Sequence, residues 1–304
     1  MKKAIYIVGP TASGKTKLAV NLAKRLNTQI IGADSMQIYK NIEIGTAKPT
    51  AKELSGVTHH MIDFVEPHEF YTVSDYCRDA LKTIEKLHSE GKIPIVCGGT
   101  GLYINSLIYK MDFSNANYDK SLRENYQNMD TEELLGILKK IDESSFNRIN
   151  HNDKKRIIRA IEVFEMSDIP MSEQIGDYKS DLREFDNYLF AIAWDRQQLY
   201  KKIEARVDSM LENGLIDEVK TLLGRGITQE TPALQFIGYK EVISMLKNEI
   251  SFDEMRGLIK RNTRRYAKRQ WTWFRNLDEK IGINWIEMTN DINMMVDSVM
   301  QYIN

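Results

Sequence analysis

The sequence predicts an α/β fold in which helices flank a parallel sheet, with a separate helical segment inserted into the chain. Three observations support this prediction. Short apolar runs of strand length recur along the chain, helical patterns separate most of them, and one long stretch contains polar helical patterns alone. The 304 residues are 42% hydrophobic and 28% charged, so the chain has an ordinary globular composition and the length for two domains.

The apolar runs are rich in β-branched residues, as buried parallel strands are. In chain order they are AIYIVG, QIIGAD, HHMIDF, IPIVCGG, YLFAIAW and INWIEM, which begin at residues 4, 29, 59, 93, 188 and 283. In a doubly wound sheet, ligands bind at the carboxyl ends of the strands. We therefore expect the functional residues to follow these runs directly.

The inserted segment is predicted from a change of pattern along the chain. Residues 113–187 contain polar helical stretches such as TEELLGILKKI and DKKRIIRAIEVF and no convincing strand. We predict that residues 1–112 and 188–304 form the sheet with its flanking helices, and that 113–187 form a helical insertion. After Trp194 the chain is predicted to be helical again to about Leu277.

The sequence excludes several classes of protein. No apolar run approaches the roughly 18 residues of a membrane span, and Met1-Lys2-Lys3 leads into the first predicted strand without a signal peptide. We therefore expect a cytoplasmic protein that does not bind membranes. Cys77 and Cys97 form no Cys-x-x-Cys pair, so neither a disulfide framework nor a zinc site is predicted. No coiled coil or obligate protein partner is evident, and we expect a monomer.

A glycine-bracketed turn follows the first predicted strand and precedes a helical pattern. It has the form Gly-x-x-x-x-Gly-Lys-Thr, the P-loop, in which backbone N–H groups and a helix N-terminus cradle phosphate oxygens. The fold class is therefore P-loop NTPase-like. Lys15 can reach a terminal phosphate and the Thr16 hydroxyl can ligate Mg²⁺. The predicted phosphate-binding residues are Gly9, Pro10, Thr11, Ala12, Ser13, Gly14, Lys15 and Thr16.

Two further strand ends carry candidate residues. Asp34 follows the second strand and is either a general base or a turn acid that binds backbone N–H groups. The fourth strand ends in CGGTGLY, where many P-loop enzymes carry a metal-binding aspartate and this chain has none. The glycines there allow either a ligand or a packed helix to come close, and Thr100 offers a hydroxyl. A metal ion would therefore be coordinated by Thr16, the phosphates and Asp34.

The basic residues are concentrated in one stretch, although the formal net charge is −1. From Arg256 to Arg275 there are eight Lys or Arg residues and no acid. Helical spacing places Arg256, Lys260, Arg264 and Lys268 on one face. Such a local basic surface without compensating acids predicts a bound polyanion.

Six ordered motifs resemble those of the tRNA dimethylallyltransferase family, also called tRNA isopentenyltransferases. They are GPTASGKT, GADSMQIYKNIEIGTAKP, VCGGTGLY, RIIRAIEVF, IGYKE and TRRYAKRQWTWFR. The resemblance extends from Lys3 to about Arg275. It is to the bacterial form, because no Cys/His cluster of the eukaryotic zinc finger follows the core.

The resemblance implies a particular use of the P-loop. The loop would bind the diphosphate of dimethylallyl diphosphate, and the prenyl group would pass to N6 of the adenosine 3′-adjacent to the tRNA anticodon. Lys15, Thr16 with Mg²⁺, and an arginine would neutralise the leaving diphosphate, and Asp34 would accept the N6 proton. Thr100 belongs to the same implied catalytic group.

The arginine that matches the family is Arg206, in LYKKIEARVDSMLENG. The family places an arginine of this helix against the diphosphate. The alternative is a solvated helix face on which Arg206 pairs with Glu204 or Asp208. Both interpretations stay open on the sequence alone.

The resemblance also implies a set of tRNA contacts. Phosphate contacts would grip the stem, and polar groups such as the Gln37 amide would read loop bases once the target base has left its stack. Near Gln235 the family more often has a charged residue, which leaves its role open. The implied contacts are Asp34, Ser35, Met36, Gln37, Thr100, Arg123, Lys155, Arg156, Arg159, Gln235, Tyr239, Lys240, Lys268, Arg269, Gln270 and Arg275.

Three other functions are compatible with parts of the sequence. A P-loop small-molecule kinase needs no basic helix and usually has a carboxylate where this chain has Gly98-Gly99-Thr100. An adenylate isopentenyltransferase, which prenylates free AMP, needs no tRNA-sized basic surface. A non-catalytic RNA-binding protein has no need of Lys15 and Asp34 together.

Overall fold

A single sheet of six parallel strands forms the centre of the molecule's larger unit. The structure, a computed structural model, describes residues 2–111, 120–176 and 182–303. The strands are β1 (Lys3–Val8), β2 (Ile30–Gly32), β3 (His59–His60), β4 (Ile95–Gly98), β5 (Asp186–Ala193) and β6 (Asn284–Glu287). They lie in the order β3-β2-β4-β1-β5-β6, and every neighbouring pair is parallel. Each predicted strand is present, and the predicted α/β fold is confirmed.

Helices separate the strands and make up most of the remaining described residues. None of them within those ranges combines the length and apolar character needed to cross a membrane. They are α1 (Lys15–Leu26), α2 (Ala51–Leu54), α3 (Val73–Ser89), α4 (Gly101–Ile108), α5 (Lys120–Asn128), α6 (Thr131–Ile141), α7 (Glu143–Arg148), α8 (Lys154–Ser167), α9 (Met171–Gly176), α10 (Arg196–Glu212), α11 (Leu215–Gly224), α12 (Tyr239–Leu246), α13 (Phe252–Ile281) and α14 (Ile292–Ile303).

The chain divides into two compact units. The larger comprises Met1–Leu107 and Glu184–Asn304, and the smaller is Ile108–Arg183. The predicted boundary at residues 112 and 113 lies outside the described residues. At the other boundary, Asp186 and Asn187 already pair with β1, so the strand begins before the predicted position. Each unit has its own buried apolar cluster, because each must remove the apolar sides of its helices from water.

The turn between β1 and α1 adopts a tightly curled conformation. Gly9, Ala12 and Gly14 have φ of 132°, 63° and 88°, in the left-handed region that favours glycine. Gly14 is the N-cap of α1, and no side chain caps the helix start. The first N–H groups of α1 are thus left for a ligand, as expected of an anion-binding helix N-terminus.

The second glycine turn packs closely against its neighbours. A Cβ atom at Gly98 would lie 2.1 Å from the carbonyl oxygen of Ala33, and one at Gly99 would lie 2.2 Å from Nε2 of Gln270. A Cβ at Gly101 would meet the Trp273 ring at 2.3 Å. Of the two uses considered for these glycines, the structure supports close packing of strand and helix.

One carboxylate anchors the loop that follows β2. Glu218 of α11 accepts hydrogen bonds from the backbone N–H groups of Glu43, Ile44 and Gly45, at 2.9, 2.8 and 3.2 Å. The Tyr239 hydroxyl donates to the same carboxylate at 2.6 Å. Because Glu218 satisfies four donors, the loop between β2 and α2 is fixed to α11 and α12.

We expect Gly98→Ala to lower the free energy of unfolding by about 1–3 kcal/mol, because the new methyl group must displace backbone rather than a flexible side chain. Gly257→Ala is the matched control: it lies in α13, and a Cβ there meets nothing within 4 Å. The control should raise stability by about 1 kcal/mol, since alanine is the better helix former. Denaturant unfolding measures both. Equal stability of the Gly98 variant and wild type would contradict the close approach of β2 and β4.

Candidate functional site

Three charged side chains come together at the P-loop. The charges of Asp34 and Arg206 both act on Lys15, and that of Asp34 also acts on Arg206. Lys15 Nζ donates a hydrogen bond to the Pro10 carbonyl oxygen at 2.6 Å, so the ammonium is held over the loop. Strand ends of β1 and β2 and the helix α10 thereby contribute to one site. This arrangement combines two cations and one carboxylate where phosphate is expected to bind.

The carboxylate of Asp34 is buried and already accepts a hydrogen bond. Burial raises its pKa, and the backbone N–H groups of Met36 and Gln37 and the charge of Lys15 oppose that rise. The Met36 N–H donates to Oδ1 at 3.0 Å. Asp34 thus acts as a turn acid, one of its two predicted roles. A raised pKa also makes its carboxylate a stronger base, so the second role stays a prediction.

Lys15 is held in a state that favours loss of its proton. Its pKa is lowered to about 8, mainly by burial and also by the charge of Arg206, while the Cys97 and Asp34 side chains act in the opposite direction. Cys97 itself has its pKa raised to about 11 by burial, so it is a neutral thiol at neutral pH. An anion bound in the loop would reverse the shift of Lys15, because it stabilises the charged ammonium.

Arg206 points to the P-loop and not along its own helix. Its Nη1 lies 3.5 Å from Thr11 Oγ1, at the limit of a hydrogen bond, although the side chain is exposed. The two acids considered as its partners are engaged elsewhere: Glu204 binds Arg264, and Asp208 binds two other cations of α13. The structure therefore disfavours the solvated-face interpretation. Its role toward a diphosphate stays a prediction.

Thr100 and Tyr266 complete the rim of the site beside Asp34. The Ser35 N–H donates to Thr100 Oγ1 at 3.0 Å, and the Thr100 N–H donates to the Ala33 carbonyl oxygen at 3.0 Å. Burial and the charge of Asp34 raise the pKa of the Tyr266 hydroxyl, and the nearby Thr100 side chain opposes that rise. Tyr266 was not among the predicted site residues, because an aromatic residue in a helical pattern is usually a core residue.

Gln270 and Trp194 hold the loops of the site in place, a structural role that was not predicted from the sequence. Gln270 Oε1 accepts from the Thr11 N–H at 2.8 Å, and its Nε2 donates to the Gly99 carbonyl oxygen at 2.9 Å. Its side chain is 5% exposed, so the structure does not support the implied tRNA contact through that amide. Trp194 donates its indole N–H to the Ser13 carbonyl oxygen at 2.9 Å. Its position directly after β5 is the signal that indicates a place at the strand ends.

The metal-binding capacity of the site is small. Within the described ranges no group of three or more His, Cys, Asp or Glu side chains could hold a metal ion. The available protein donors are the Thr16 hydroxyl, on the first turn of α1, and the Asp34 carboxylate. Such hard oxygen donors fit Mg²⁺, which keeps most of its coordination for phosphate oxygens and water.

Some cations of the basic helix α13 form ion pairs with acids of α10, and others are exposed without such a pair. Arg256 and Lys260 each bind Asp208 of α10 at 2.7 Å, and Arg264 binds Glu204 of the same helix. The expectation that these cations lack compensating acids is therefore wrong, because α10 supplies the acids. The predicted tRNA contacts Lys268, Arg269 and Arg275 lie in exposed positions further along α13.

The predicted base-reading residues directly follow Asp34. Ser35, Met36 and Gln37 are half-buried, and Gln37 Nε2 donates to the carbonyl oxygens of Thr46 and Ala47, each at 3.1 Å.

Three predicted tRNA contacts lie near the start of α12, and two of them, Gln235 and Lys240, are exposed. Gln235 Nε2 donates to the Gln229 carbonyl oxygen. Tyr239 is fully buried and donates to Glu218. A tRNA contact through the Tyr239 side chain is thus not supported, since its hydroxyl lies inside the core.

The predicted tRNA contacts of the smaller unit fall into two groups. Lys155 and Arg156 are exposed on the first turn of α8. Arg123 instead forms a bidentate ion pair with Glu162, at 2.7 and 3.0 Å, and Arg159 lies 3.5 Å from the same carboxylate. Glu162 is buried, so these arginines neutralise a charge inside the unit. To contact tRNA as predicted, Arg123 and Arg159 would have to bind the RNA and Glu162 at the same time.

Sequence comparisons identify close relatives of this chain. A family model described as IPP transferase matches residues 37–277. A tRNA dimethylallyltransferase of Acetivibrio thermocellus is 46% identical over 295 residues, which are 96% of this chain and 94% of that protein. The corresponding protein of Alkaliphilus oremlandii is 45% identical over 296 residues, 95% of this chain and 92% of the relative.

Solved structures agree with the sequence comparisons. The full-length tRNA isopentenylpyrophosphate transferase of Bacillus halodurans superposes with a TM-score of 0.75 at 38% identity, over 100% of this chain and 96% of that one. A eukaryotic dimethylallyltransferase solved while acting on tRNA gives a TM-score of 0.82 at 31% identity, over 95% of this chain and 75% of the other. The chain therefore belongs to the IPP transferase family, the tRNA isopentenyltransferases that its six sequence motifs resemble.

Proposed function

We propose that this protein transfers the dimethylallyl group from dimethylallyl diphosphate to N6 of the adenosine 3′-adjacent to the anticodon of tRNA, releasing diphosphate. The observation that carries the proposal is the meeting of Lys15, Arg206 and the buried Asp34 carboxylate at a P-loop in a chain of this family. Cations suit the diphosphate leaving group, and a carboxylate suits the amine. Action on tRNA also makes a cytoplasmic location and no membrane association part of the proposal.

The P-loop would bind and activate the prenyl donor. Its amides, Lys15 and Arg206 would hold the diphosphate of dimethylallyl diphosphate, and their charge favours departure of the leaving group as the allylic C–O bond breaks. A pocket of about 690 Å³ opens beside Arg206, next to the loop that follows β2, and would leave room for a substrate at this arginine.

Asp34 would act on the acceptor. As the adenosine N6 bonds to the allylic carbon, its extra proton passes to the Asp34 carboxylate. Tyr266 and Thr100 would position the acceptor beside that carboxylate, because both are hydrogen-bonding groups within its electrostatic reach.

Magnesium is the cofactor we propose, because the donors at the site are oxygens. Thr16 would ligate it together with the diphosphate, with Asp34 close enough in the same site to contribute. When bound, Mg²⁺ would supply further positive charge to the leaving diphosphate.

Exposed cations would bind the tRNA phosphates, and the residues after β2 would recognise its bases. Lys155, Arg156, Lys268, Arg269 and Arg275 are the exposed candidates for phosphate contacts. For base contacts we propose Ser35, Met36 and Gln37, which adjoin Asp34. Gln235 and Lys240 stay as further candidates.

One assay tests the proposed activity. The protein is incubated with radiolabelled dimethylallyl diphosphate, Mg²⁺ and unmodified tRNA, and in parallel with AMP or ATP as the acceptor. Label in tRNA is the expected outcome. Label in AMP alone would indicate an adenylate isopentenyltransferase, and consumption of ATP without prenyl transfer would indicate a kinase.

We expect Asp34→Asn to lower the prenyl-transfer rate by about 10²- to 10⁴-fold, the usual effect of losing a general base. The amide keeps an oxygen for the Met36 N–H, so the turn and the tRNA affinity should be preserved. In wild type, kcat/KM should fall as the pH drops through the raised pKa of Asp34, because the base must be unprotonated. Steady-state kinetics against pH measures this.

The same variant should melt at a higher temperature than wild type at pH 7. The folded-state pKa of Asp34 is raised above the ordinary value of 3.8, so its charge costs stability as pH rises through that window. The gain in Tm should vanish at a pH well below 3.8, where the carboxyl is protonated in both states. Asp217→Asn, at a carboxylate with 81% exposure, is the control and should change neither property. Near-normal activity of the Asp34 variant would make this residue a turn acid alone.

We expect binding of inorganic pyrophosphate to take up protons through Lys15 at pH 8. With a pKa of about 8 the ammonium is only partly charged in the free protein, and the bound anion restores the missing proton. The uptake attributable to Lys15 is about half a proton. Calorimetry in two buffers of different ionisation enthalpy measures it. Lys15→Arg stays charged throughout, so equal uptake by the variant and wild type would contradict the prediction.

Exposed cations and base-reading groups should differ in their salt dependence. Each of Lys155→Ala, Arg156→Ala, Lys268→Ala and Arg269→Ala should lower the slope of log Kd against log salt by about one unit, because a phosphate contact releases counterions.

Base contacts release none, so Gln37→Ala should keep the slope and lose about 1–3 kcal/mol of discrimination between loop sequences. Lys220→Ala, at a lysine paired with Asp217, is the control for general charge. Unchanged slopes for all four cation variants would place the tRNA surface elsewhere.

A further inference from the structure

A cleft of about 450 Å³ in the larger unit is lined by three of the chain's four tryptophans. Trp194 follows β5, Trp271 lies on α13 and Trp285 lies on β6. The remaining polar lining consists of Arg275, Asp278 and Asp195. Trp271 and Trp285 take no part in the proposed reaction, and a cluster of three indoles facing a cleft is unusual for a polar surface, where large aromatic side chains are normally covered.

The side chains of the cleft have a defined arrangement. The Trp271 and Trp285 ring centroids are 5.3 Å apart, with the rings inclined at 42°, and both are half-buried. The Arg275 guanidinium lies 5.5 Å from the Trp271 ring centroid. Asp278 accepts from the Trp285 indole N–H at 2.7 Å and from the Ile283 N–H at 2.6 Å, which fixes the wall of the cleft.

One cation, Arg275, and two carboxylates, Asp195 and Asp278, line the cleft. Arg275 is exposed, and in the described part of the chain no carboxylate lies within ion-pair distance of it. Asp278 is occupied by the two N–H donors of β6 and its preceding turn. Asp195 accepts from the N–H groups of Gln197 and Gln198 at the start of α10. Both carboxylates keep their charge but are directed at N–H donors of the fold, and Arg275 is the cation of the cleft that an anionic ligand can reach.

We propose that this cleft binds one unpaired nucleotide of the tRNA substrate, with its base stacked on Trp271 and its phosphate at Arg275. The inference rests on the proposed function, which makes an RNA the ligand. Aromatic faces with a neighbouring guanidinium are the usual means of holding a single-stranded nucleotide, because every base has a face that stacks and every phosphate an anionic charge. The exposed Lys268 lies seven residues before Arg275, on the same face of the helix.

The cleft lies next to the phosphate loop. Trp194 lines it and also donates its indole N–H to the Ser13 carbonyl oxygen of the P-loop at 2.9 Å. The two sites therefore share a side chain, and a nucleotide in the cleft would anchor the tRNA beside the bound prenyl donor. Its base is held by stacking and not by paired donors and acceptors, so the site should accept different bases.

The experiment compares Trp271→Ala with Trp271→Phe, and uses Phe252→Ala as control for loss of an exposed aromatic side chain on the same helix. The affinity for an unmodified tRNA transcript is measured at several salt concentrations, with thermal melting of each protein and the KM for dimethylallyl diphosphate. Trp271→Ala should weaken tRNA binding about 5- to 150-fold. Trp271→Phe should bind close to wild type, because phenylalanine also stacks. The salt slope and the KM for the prenyl donor should stay unchanged.

Several outcomes would overturn the inference. Wild-type affinity of Trp271→Ala would mean that no base stacks there. Equal weakening and equal loss of melting temperature in both Trp271 variants would indicate a packing role, and a reduced salt slope would indicate an altered phosphate contact. Wild-type protein that binds no tRNA would overturn the proposed function as well. Wild-type protein that binds tRNA, with Trp271→Ala binding equally, would overturn the cleft alone.

Discussion

The amide of Gln270 is the contact on which the arrangement of the site depends. It joins the P-loop at Thr11 to the second glycine turn at Gly99, and the side chain is buried, where an unpaired amide would be costly. Because Gln270 lies in α13, the two bonds also fix that helix over the strand ends. Tyr266, one turn earlier, then reaches Thr100, and Trp273, one turn later, packs on Gly101. The cations between and beyond them are left on the outer side.

The environment of the site shifts two of its charged groups toward their neutral forms. Burial raises the pKa of Asp34 and lowers that of Lys15, and both residues are half-buried, whereas Arg206 is exposed. The three also act on one another through their charges. A phosphate-bearing ligand would stabilise the two cations, and a proton from an amine would neutralise the carboxylate. The charges in the free site therefore match the two substrates that we propose.

The helical periodicity of α10 directs its two acids to α13 and its Arg206 to the P-loop. Glu204 and Asp208 are four residues apart and lie on one face, where they bind three cations of α13. Arg206 lies between them in sequence and therefore points in another direction, to Thr11. The acids thus pair with three cations of α13 and hold that helix against α10, while Arg206 stays available to the P-loop. Arg261 and Arg265 are exposed beside these pairs, and Lys268, Arg269 and Arg275 are exposed further along the helix.

The sequence by itself determined the six strands, the P-loop, the helical character of the insertion and the family. These features rest on local signals: apolar runs, glycines at fixed spacing and ordered motifs. Only the tertiary structure decided which side chains are partners, because residues such as Thr11 and Gln270, or Arg123 and Glu162, are distant in the chain. For the same reason Tyr239 and Gln270 were predicted as tRNA contacts and are buried, and cations of α13 were predicted to be unpaired. Local patterns show that a side chain is charged or aromatic, whereas packing decides what it faces.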